Sequence, residues 1–420
     1  MNSLLRLAWR YLWAQPLTAT LNLMLLSLGI GAISFVLLVS DQIEAGVQRD
    51  LAGIDLVVGA KGSPMQIMLS GVFHLDVPTG NIPYATLEHL QAQALVARAI
   101  PLSLGDSLRG YRIVGTTPEL LDLYRARWAE GHIWQAPLQA VLGAEVARDL
   151  GLRPGQQFHG SHGLGEQGDA HGEQAYTVVG VLAATGGVLD RLVLTDLTSV
   201  WAVHAAHHPN PPVDKHESSD DHAPGSSASH ASRSGHEDSR EITMALLSYR
   251  SPLAAVSLPR WVNAQPGLQA AAPALESARL LRMVGVGTEV LRGFGLLLLL
   301  LAAGSVLVTL LHSVRARQSD LAMLRMLGAP PWRVAALVGL EALCLALLAS
   351  ALGVLLGHGL TALLGLALAA DHGLRVSGLW FVAQELWIPG VAVLLSLLAC
   401  AWPAMTAYRL DVSELLQAPR

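Results

Sequence analysis

The sequence predicts a membrane protein: four transmembrane α-helices in a one-plus-three layout, with a large α+β extracytoplasmic domain between the first and second. Three observations carry this. The 420-residue chain is 52% hydrophobic and only 14% charged, with a mean hydropathy of +0.43, whereas soluble proteins carry about 25% charged residues. Four apolar runs are long enough to cross a bilayer. Arginines gather on one side of them: Arg6 and Arg10, then Arg315, Arg317, Arg325 and Arg333, then Arg409 and Arg420. Basic loops face the cytoplasm, so both termini are expected there.

The elements follow in order. Residues 1–16 read as an amphipathic cytoplasmic elbow, and 17–40 as the first span. That run is too long for a cleavable signal peptide and lacks a small-residue cleavage site. Ser27, Gly29, Gly31 and Ser34 give it a small-residue face suited to close helix packing. Residues 41–292 form the outer region, large enough for one or two folded domains. The spans 293–312, 334–357 and 386–407 follow, separated by a cytoplasmic loop at 313–333 and a short outer loop at 358–385. A cytoplasmic tail, 408–420, ends the sequence. The outer loop offers only Arg375, and Trp380 and Trp387 suit the outer interface. Glu341 lies close enough to the cytoplasmic face to read as an interfacial or packing residue, not a proton relay.

Within the outer region, β-type runs occur at 54–59, 111–115, 140–142, 176–182, 192–195 and 246–249, bounded by turn residues. Helical patterns occupy 86–97, 118–127 and 144–150, and 260–282 reads as a helical return to the second span. Residues 151–155, Gly-Leu-Arg-Pro-Gly, make a tight turn. The segment 55–84 is dense in Gly, Pro and Met. It suggests a loop presenting Met65, Ile67, Met68 and Phe73 as an adaptable apolar surface for a substrate or partner, with a core strand and ordinary turn as the alternative. His74 and Asp76 read as hydrogen-bonded core groups.

Residues 204–240 are rich in Ser, Asp, Pro and His and read as a disordered insertion. Ten of the 16 histidines fall between His159 and His236. His204, His207, His208, His216, His222, His230 and His236, interleaved with carboxylates, are candidate ligands for Zn²⁺. Their irregular spacing points to weak, transient binding in many arrangements, or to a solvated loop in which the histidines are incidental.

Several functions are excluded or displaced. A net charge of −5 gives no support for nucleic-acid binding. Cys344 and Cys400 sit in apolar runs as core residues. No HExxH motif is present. The two lysines, Lys61 and Lys215, precede Gly62 and His216, so there is no Gly-Lys-Ser/Thr phosphate loop. Any ATP and Mg²⁺ that drive the protein are expected in another polypeptide.

Three segments resemble one family. LAWRYLWAQPLTATLNLMLLSLGIGA, from Leu7, resembles an amphipathic elbow leading into a first span. RQSDLAMLRMLGA, from Arg317, resembles a loop in which an acidic residue precedes hydrophobic-Arg-x-hydrophobic-Gly-Ala. PAMTAYRLDVSELLQ, from Pro403, resembles a Pro-Ala…Ala-x-Arg…Val-x-x-Leu tail. Together they resemble the FtsX/MacB/LolC-like permeases of type VII ABC transporters. The outer region resembles the MacB-like periplasmic core in size and strand pattern more than in motif.

The resemblance implies an inner-membrane permease subunit beneath which a separate ATPase sits, and a dimer, either of identical chains or with a paralogous permease. The central loop becomes a coupling helix. Leu324, Met326 and Leu327 would make apolar contacts and Arg325 a charged one, Asp320 would cap the helix and Gly328 would end it. ATP binding would move the outer domains through long helices, for export, extraction or release of a lipoprotein, peptide or amphiphile, with a periplasmic partner and a link to zinc homeostasis open. Two alternatives stand beside this: an FtsX-like protein that switches an envelope hydrolase, and a metal-sensing or metal-buffering module.

Overall fold

The computed structural model describes residues 2–14, 16–162, 170–207, 240–370 and 376–409. Along the chain come α1 (Asn2–Leu12), α2 (Pro16–Asp50), β1 (Leu56–Ala60), α3 (Pro64–Gly71), β2 (Ile82–Pro83), α4 (Ala85–Gln91), β3 (Val96–Leu108) and β4 (Tyr111–Thr116). There follow α5 (Glu119–Leu123), β5 (Trp128–Gly131), β6 (Gln139–Leu142), α6 (Ala144–Leu150), β7 (Gln157–His162), β8 (Ala170–Leu182), β9 (Leu192–Asp196) and α7 (Leu197–His207). The rest comprises β10 (Glu241–Ile242), β11 (Met244–Tyr249), α8 (Ala254–Asn263), β12 (Leu268–Ala271), α9 (Pro273–Ala316), α10 (Gln318–Met326), α11 (Pro331–Ala370) and α12 (Trp387–Tyr408). Two compact units result: residues 1–45 with 281–420, and residues 46–280. The division falls inside α2 and α9.

In the first unit, α2, α9, α11 and α12 are each long and apolar enough to cross a membrane. Small residues set how closely α2 and α11 pack. A Cβ on Gly31 would lie 3.1 Å from the Gly353 carbonyl oxygen, and one on Gly357 would lie 2.6 Å from Ser34 Cβ. The small-residue face of the first span thus meets a second such face, Gly353 and Gly357, one helical turn apart. On its other side Gly29 admits Leu299 of α9, with a Cβ placed 3.2 Å from that side chain. Asn22 crosses between α2 and α9, donating to Thr309 Oγ1 at 3.0 Å and accepting from Ser305 Oγ. At the opposite end of these helices Glu385, only 3% exposed, accepts from Ser34 and meets His358 Nε2 at 3.3 Å. Trp380 Nε1 donates to Asp41.

In the second unit a mixed sheet runs β12-β1-β11-β3-β4-β9-β6-β8-β5, with β7 bridging β3 and β8. Pairs β4–β9 and β6–β8 are parallel, the others antiparallel. Both faces of its centre are covered, so the strands read as continuous apolar runs. On β1, Val57 faces one core with Ile67, Met68 and Leu246, while Leu56 and Val58 face another with Leu90, Leu247 and Leu258.

Three expectations need correction. The helical pattern at 86–97 stops at Gln91, because Val96 begins β3, which pairs with β11, β4 and β7. Its Ala-rich start and internal Pro101 mimic a helix and a break. The return at 260–282 is divided: α8 ends at Asn263, Gly267 turns the chain at φ 80°, and β12 adds to β1 before α9 starts. The four residues of segment 55–84 expected on a surface loop do not form one. Pro64 starts α3, whose Ile67 and Met68 are fully buried, with Met65 and Phe73 packed against the same core. Ile67 and Met68 thus lie in the domain interior, and Met65 and Phe73 are half-buried at its edge.

His74 also differs from expectation. It sits at φ 54°, and its ring Nδ1 is buried with no hydrogen-bond partner among the described residues. Burial, aided by the Arg112 guanidinium, holds its pKa down at about 3, against the ordinary 6.5. Between these values the unfolded chain binds a proton that the folded domain refuses, so stability must fall as pH drops below 6.5. Lowering the pH from 7 to 5 is expected to cost the wild-type protein about 2 kcal/mol more than His74→Gln, measured by hydrogen exchange of the β-sheet core in detergent. Equal losses in both proteins would remove His74 as the cause.

Candidate functional site

The sequence pointed to the loop after the second span, and its geometry is built by α10. Arg317 takes the N-cap position and Asp320 lies in the first turn. Asp320 is therefore not the cap; its charge instead complements the helix N-terminus. Gly328 ends the helix at φ 94°. Its N–H donates to Arg325 O at 3.0 Å and Ala329 N–H to Leu324 O at 3.0 Å, the paired bonds of a Schellman motif. Pro331 then opens α11, where its missing N–H costs nothing.

This cap fixes which residues face outward. Met323, Met326 and Leu327 recur at helical spacing and are exposed, Leu327 by 86%, and Trp332 is exposed just beyond the turn. Leu324 turns the other way and packs against the apolar interior of the helical unit. The expected outward trio of Leu324, Met326 and Leu327 is thus corrected: Met323 replaces Leu324, and Trp332 extends the surface. Arg325 is half-buried beside them.

Arg317 secures α10 to the helices behind it. Its Nη1 lies 3.4 Å from Glu341 Oε1 on α11, and its Nη2 donates to the Tyr11 carbonyl at 2.8 Å. The guanidinium also stacks 4.4 Å from the centre of the Tyr11 ring. Both charged side chains are largely enclosed, 14% and 8% exposed. Elbow, loop and third span are therefore tied at one arginine. Glu341 is a packing partner, as its position near the end of the span suggested.

A second constellation lies in the outer domain, where α2 ends. Asp50 Oδ1 accepts the Val188 N–H at 2.9 Å, Arg49 Nη1 donates to Gly186 O, and Tyr124 Oη donates to Asp50 O at 3.0 Å. Gly187 has to be small, because a Cβ there would lie 2.6 Å from Asp50 Oδ1. The receiving loop is itself braced by Asp190, 1% exposed, which accepts from Thr185 N and Oγ1 and from Gly186 N. A cavity of about 410 Å³ opens beside it, lined by Arg49, Asp50, Tyr124, Arg125 and Thr185. Burial and the nearby Asp50 carboxylate push the Tyr124 phenol up, so it stays a neutral donor.

The histidine candidates remain apart from both constellations. His204 and His207 fall at the end of α7, and His208, His216, His222, His230 and His236 lie outside the described residues. Among the described residues no group of three or more His, Cys, Asp or Glu could hold a metal ion.

Residues 292–412 match the family model for the FtsX-like permease C-terminal region, and residues 19–218 match that for the MacB-like periplasmic core domain. The chain belongs to the FtsX/MacB-like permeases. The first match covers α10 with the last three spans of the permease, and the second covers α2 with most of the outer sheet. Among solved structures, the permease is similar to the periplasmic region of MacB from Actinobacillus actinomycetemcomitans. That match has 10% identity over 56% of this chain and 95% of that one, with a TM-score of 0.34. It is also similar to the extracellular domain of YknZ, a noncanonic ABC-type transporter from Gram-positive bacteria, with 10% identity over 52% of this chain and 98% of that one and a TM-score of 0.30. No curated protein matches the permease.

Proposed function

We propose that this permease is driven by a separate ATPase docked on α10, and that it acts on a lipoprotein, peptide or other amphiphile held outside the cytoplasm. ATP-driven movement enters through α10 and leaves through α2 and α9. The observation that carries this reading is the exposed Met323–Met326–Leu327 face on a helix that is capped at its end and fastened at Arg317. A loop serving only to satisfy membrane orientation would need arginines, not a rigid apolar face. The arginine distribution supports a cytoplasmic side for α10 and both termini, with the outer domain on the other side. A dimer with a second copy or a paralogous permease completes the unit.

In this reading the Asp50 joint is where movement of α2 enters the outer domain. Asp50→Ala strands the buried Val188 N–H, a cost of about 1–3 kcal/mol, and loosens the joint without touching α10. The variant is expected to bind and stimulate a co-expressed ABC ATPase normally, while ATP-dependent release of bound substrate from proteoliposomes falls at least about tenfold. Release at the wild-type rate would remove the joint from the path.

A further inference from the structure

A groove of about 660 Å³ lies between α1 and α11, lined by Leu5, Trp9, Leu347, Leu348 and Cys344, with Arg6 as its charged member. Its floor is apolar, and no acidic residue lines it. The inward face of α1 is occupied, Ala8 being fully buried with Leu7, Tyr11 and Leu12 against the helical core. The outward face presents Leu5 and Trp9, the latter edge-to-face with Trp13 at 6.2 Å. Arg6 and Arg10 are exposed one turn apart, and α1 carries no Asp or Glu. An apolar trough closed at one side by a guanidinium that has no ion pair among the described residues matches a molecule with a long hydrocarbon part and an anionic head.

We propose that this groove is a binding site for an anionic glycerophospholipid. One acyl chain lies along Leu5, Trp9, Leu347 and Leu348, and the phosphate meets Arg6, whose planar fork suits phosphate oxygens. The site couples lipid charge to the elbow, which Arg317 fastens to α10 through the Tyr11 carbonyl. Its regulatory meaning rests on the coupling role of α10, but lipid binding itself does not.

The test uses the intact permease carrying Cys400→Ser, which leaves Cys344 as the sole thiol. Bimane is attached at Cys344 and the protein is placed in nanodiscs containing tail-brominated phosphatidylglycerol or phosphatidylcholine. Both leaflets then have the same composition, so the outcome does not depend on which face is cytoplasmic. Phosphatidylglycerol should quench with about fivefold preference, the effect of one basic residue near an anionic lipid surface, and Arg6→Gln should abolish the preference. A bimane at Leu394→Cys on exposed α12, in a protein that also carries Cys344→Ser and Cys400→Ser, should be quenched equally by both lipids. Equal quenching at Cys344, a preference that survives Arg6→Gln, or shielding from both lipids by a second copy would overturn the proposal. Native mass spectrometry of the unlabelled wild type and Arg6→Gln gives an independent count of retained phosphatidylglycerol. Equal retention by the two proteins would also overturn it.

Discussion

Replacing Leu327 by Asp is expected to abolish productive docking of the partner ATPase while leaving the permease folded. Leu327 is 86% exposed, and substitutions at such positions change stability by only about 0.5 kcal/mol. In a docked complex the same residue would lie at the centre of the apolar face, between Met323, Met326 and Trp332. Central interface residues contribute about 2 kcal/mol or more, and a buried carboxylate adds its desolvation cost. Affinity should therefore fall at least about thirtyfold, read by co-purification and by loss of ATPase stimulation. Arg325→Glu alongside it should deepen the loss. Undiminished stimulation in Leu327→Asp would sink the docking role of α10.

The second large effect is expected at Arg317. Arg317→Ala leaves Glu341 enclosed without its cation, and removing one partner of a buried pair costs about 3–5 kcal/mol. It also deletes the bond to the Tyr11 carbonyl and the stacking on the Tyr11 ring. Thermal unfolding in detergent should show the loss, with release of the elbow as its local sign. Arg317→Met combined with Glu341→Leu should recover most of the stability, because an apolar pair of similar volume is often neutral or better than a buried ion pair. The double variant should still fail to stimulate ATPase fully, since it no longer holds α10 against the Tyr11 carbonyl. If Arg317→Ala melts like the wild type, the three-way tie carries no structural weight.

The membrane half was legible because its signals are local. Apolar length gives the spans, and the spacing of Ser27, Gly31 and Ser34 exposes a packing face before its partner is known. What local pattern cannot provide is the identity of the partner. Gly353 and Gly357, the other half of that contact, lie more than three hundred residues away. The same limit hid the tie between Arg317 and Glu341, and the pairing of Asp50 with Val188. It also misdirected the reading of α10: periodicity alone does not say whether Leu324 or Met323 faces out, and contact with the bundle core decided it.

The outer domain shows where local signals mislead. Gly62, Pro64 and the methionines around them suggested a pliable loop, yet Pro64 is a helix-opening residue and Ile67 and Met68 fill the main core. The Ala-rich start of β3 carried helical propensity that pairing with β11 and β4 overrides. By contrast, the turn at 151–155 was readable because Gly151 and Gly155 adopt φ of 67° and 92°, which glycine alone adopts freely.

In the proposed mechanism a nucleotide-driven event at α10 reaches the outer domain through α2. Hydrogen exchange across Thr185–Arg191, in the intact permease reconstituted with its ATPase, tests it most directly. Val188 N–H and Gly186 N–H report on Asp50 and Asp190 respectively. ATP binding is expected to change protection at Val188, and Leu327→Asp and Asp50→Ala are each expected to abolish the change. Protection at Val188 that is the same with and without ATP, in a complex whose ATPase is stimulated, would contradict it.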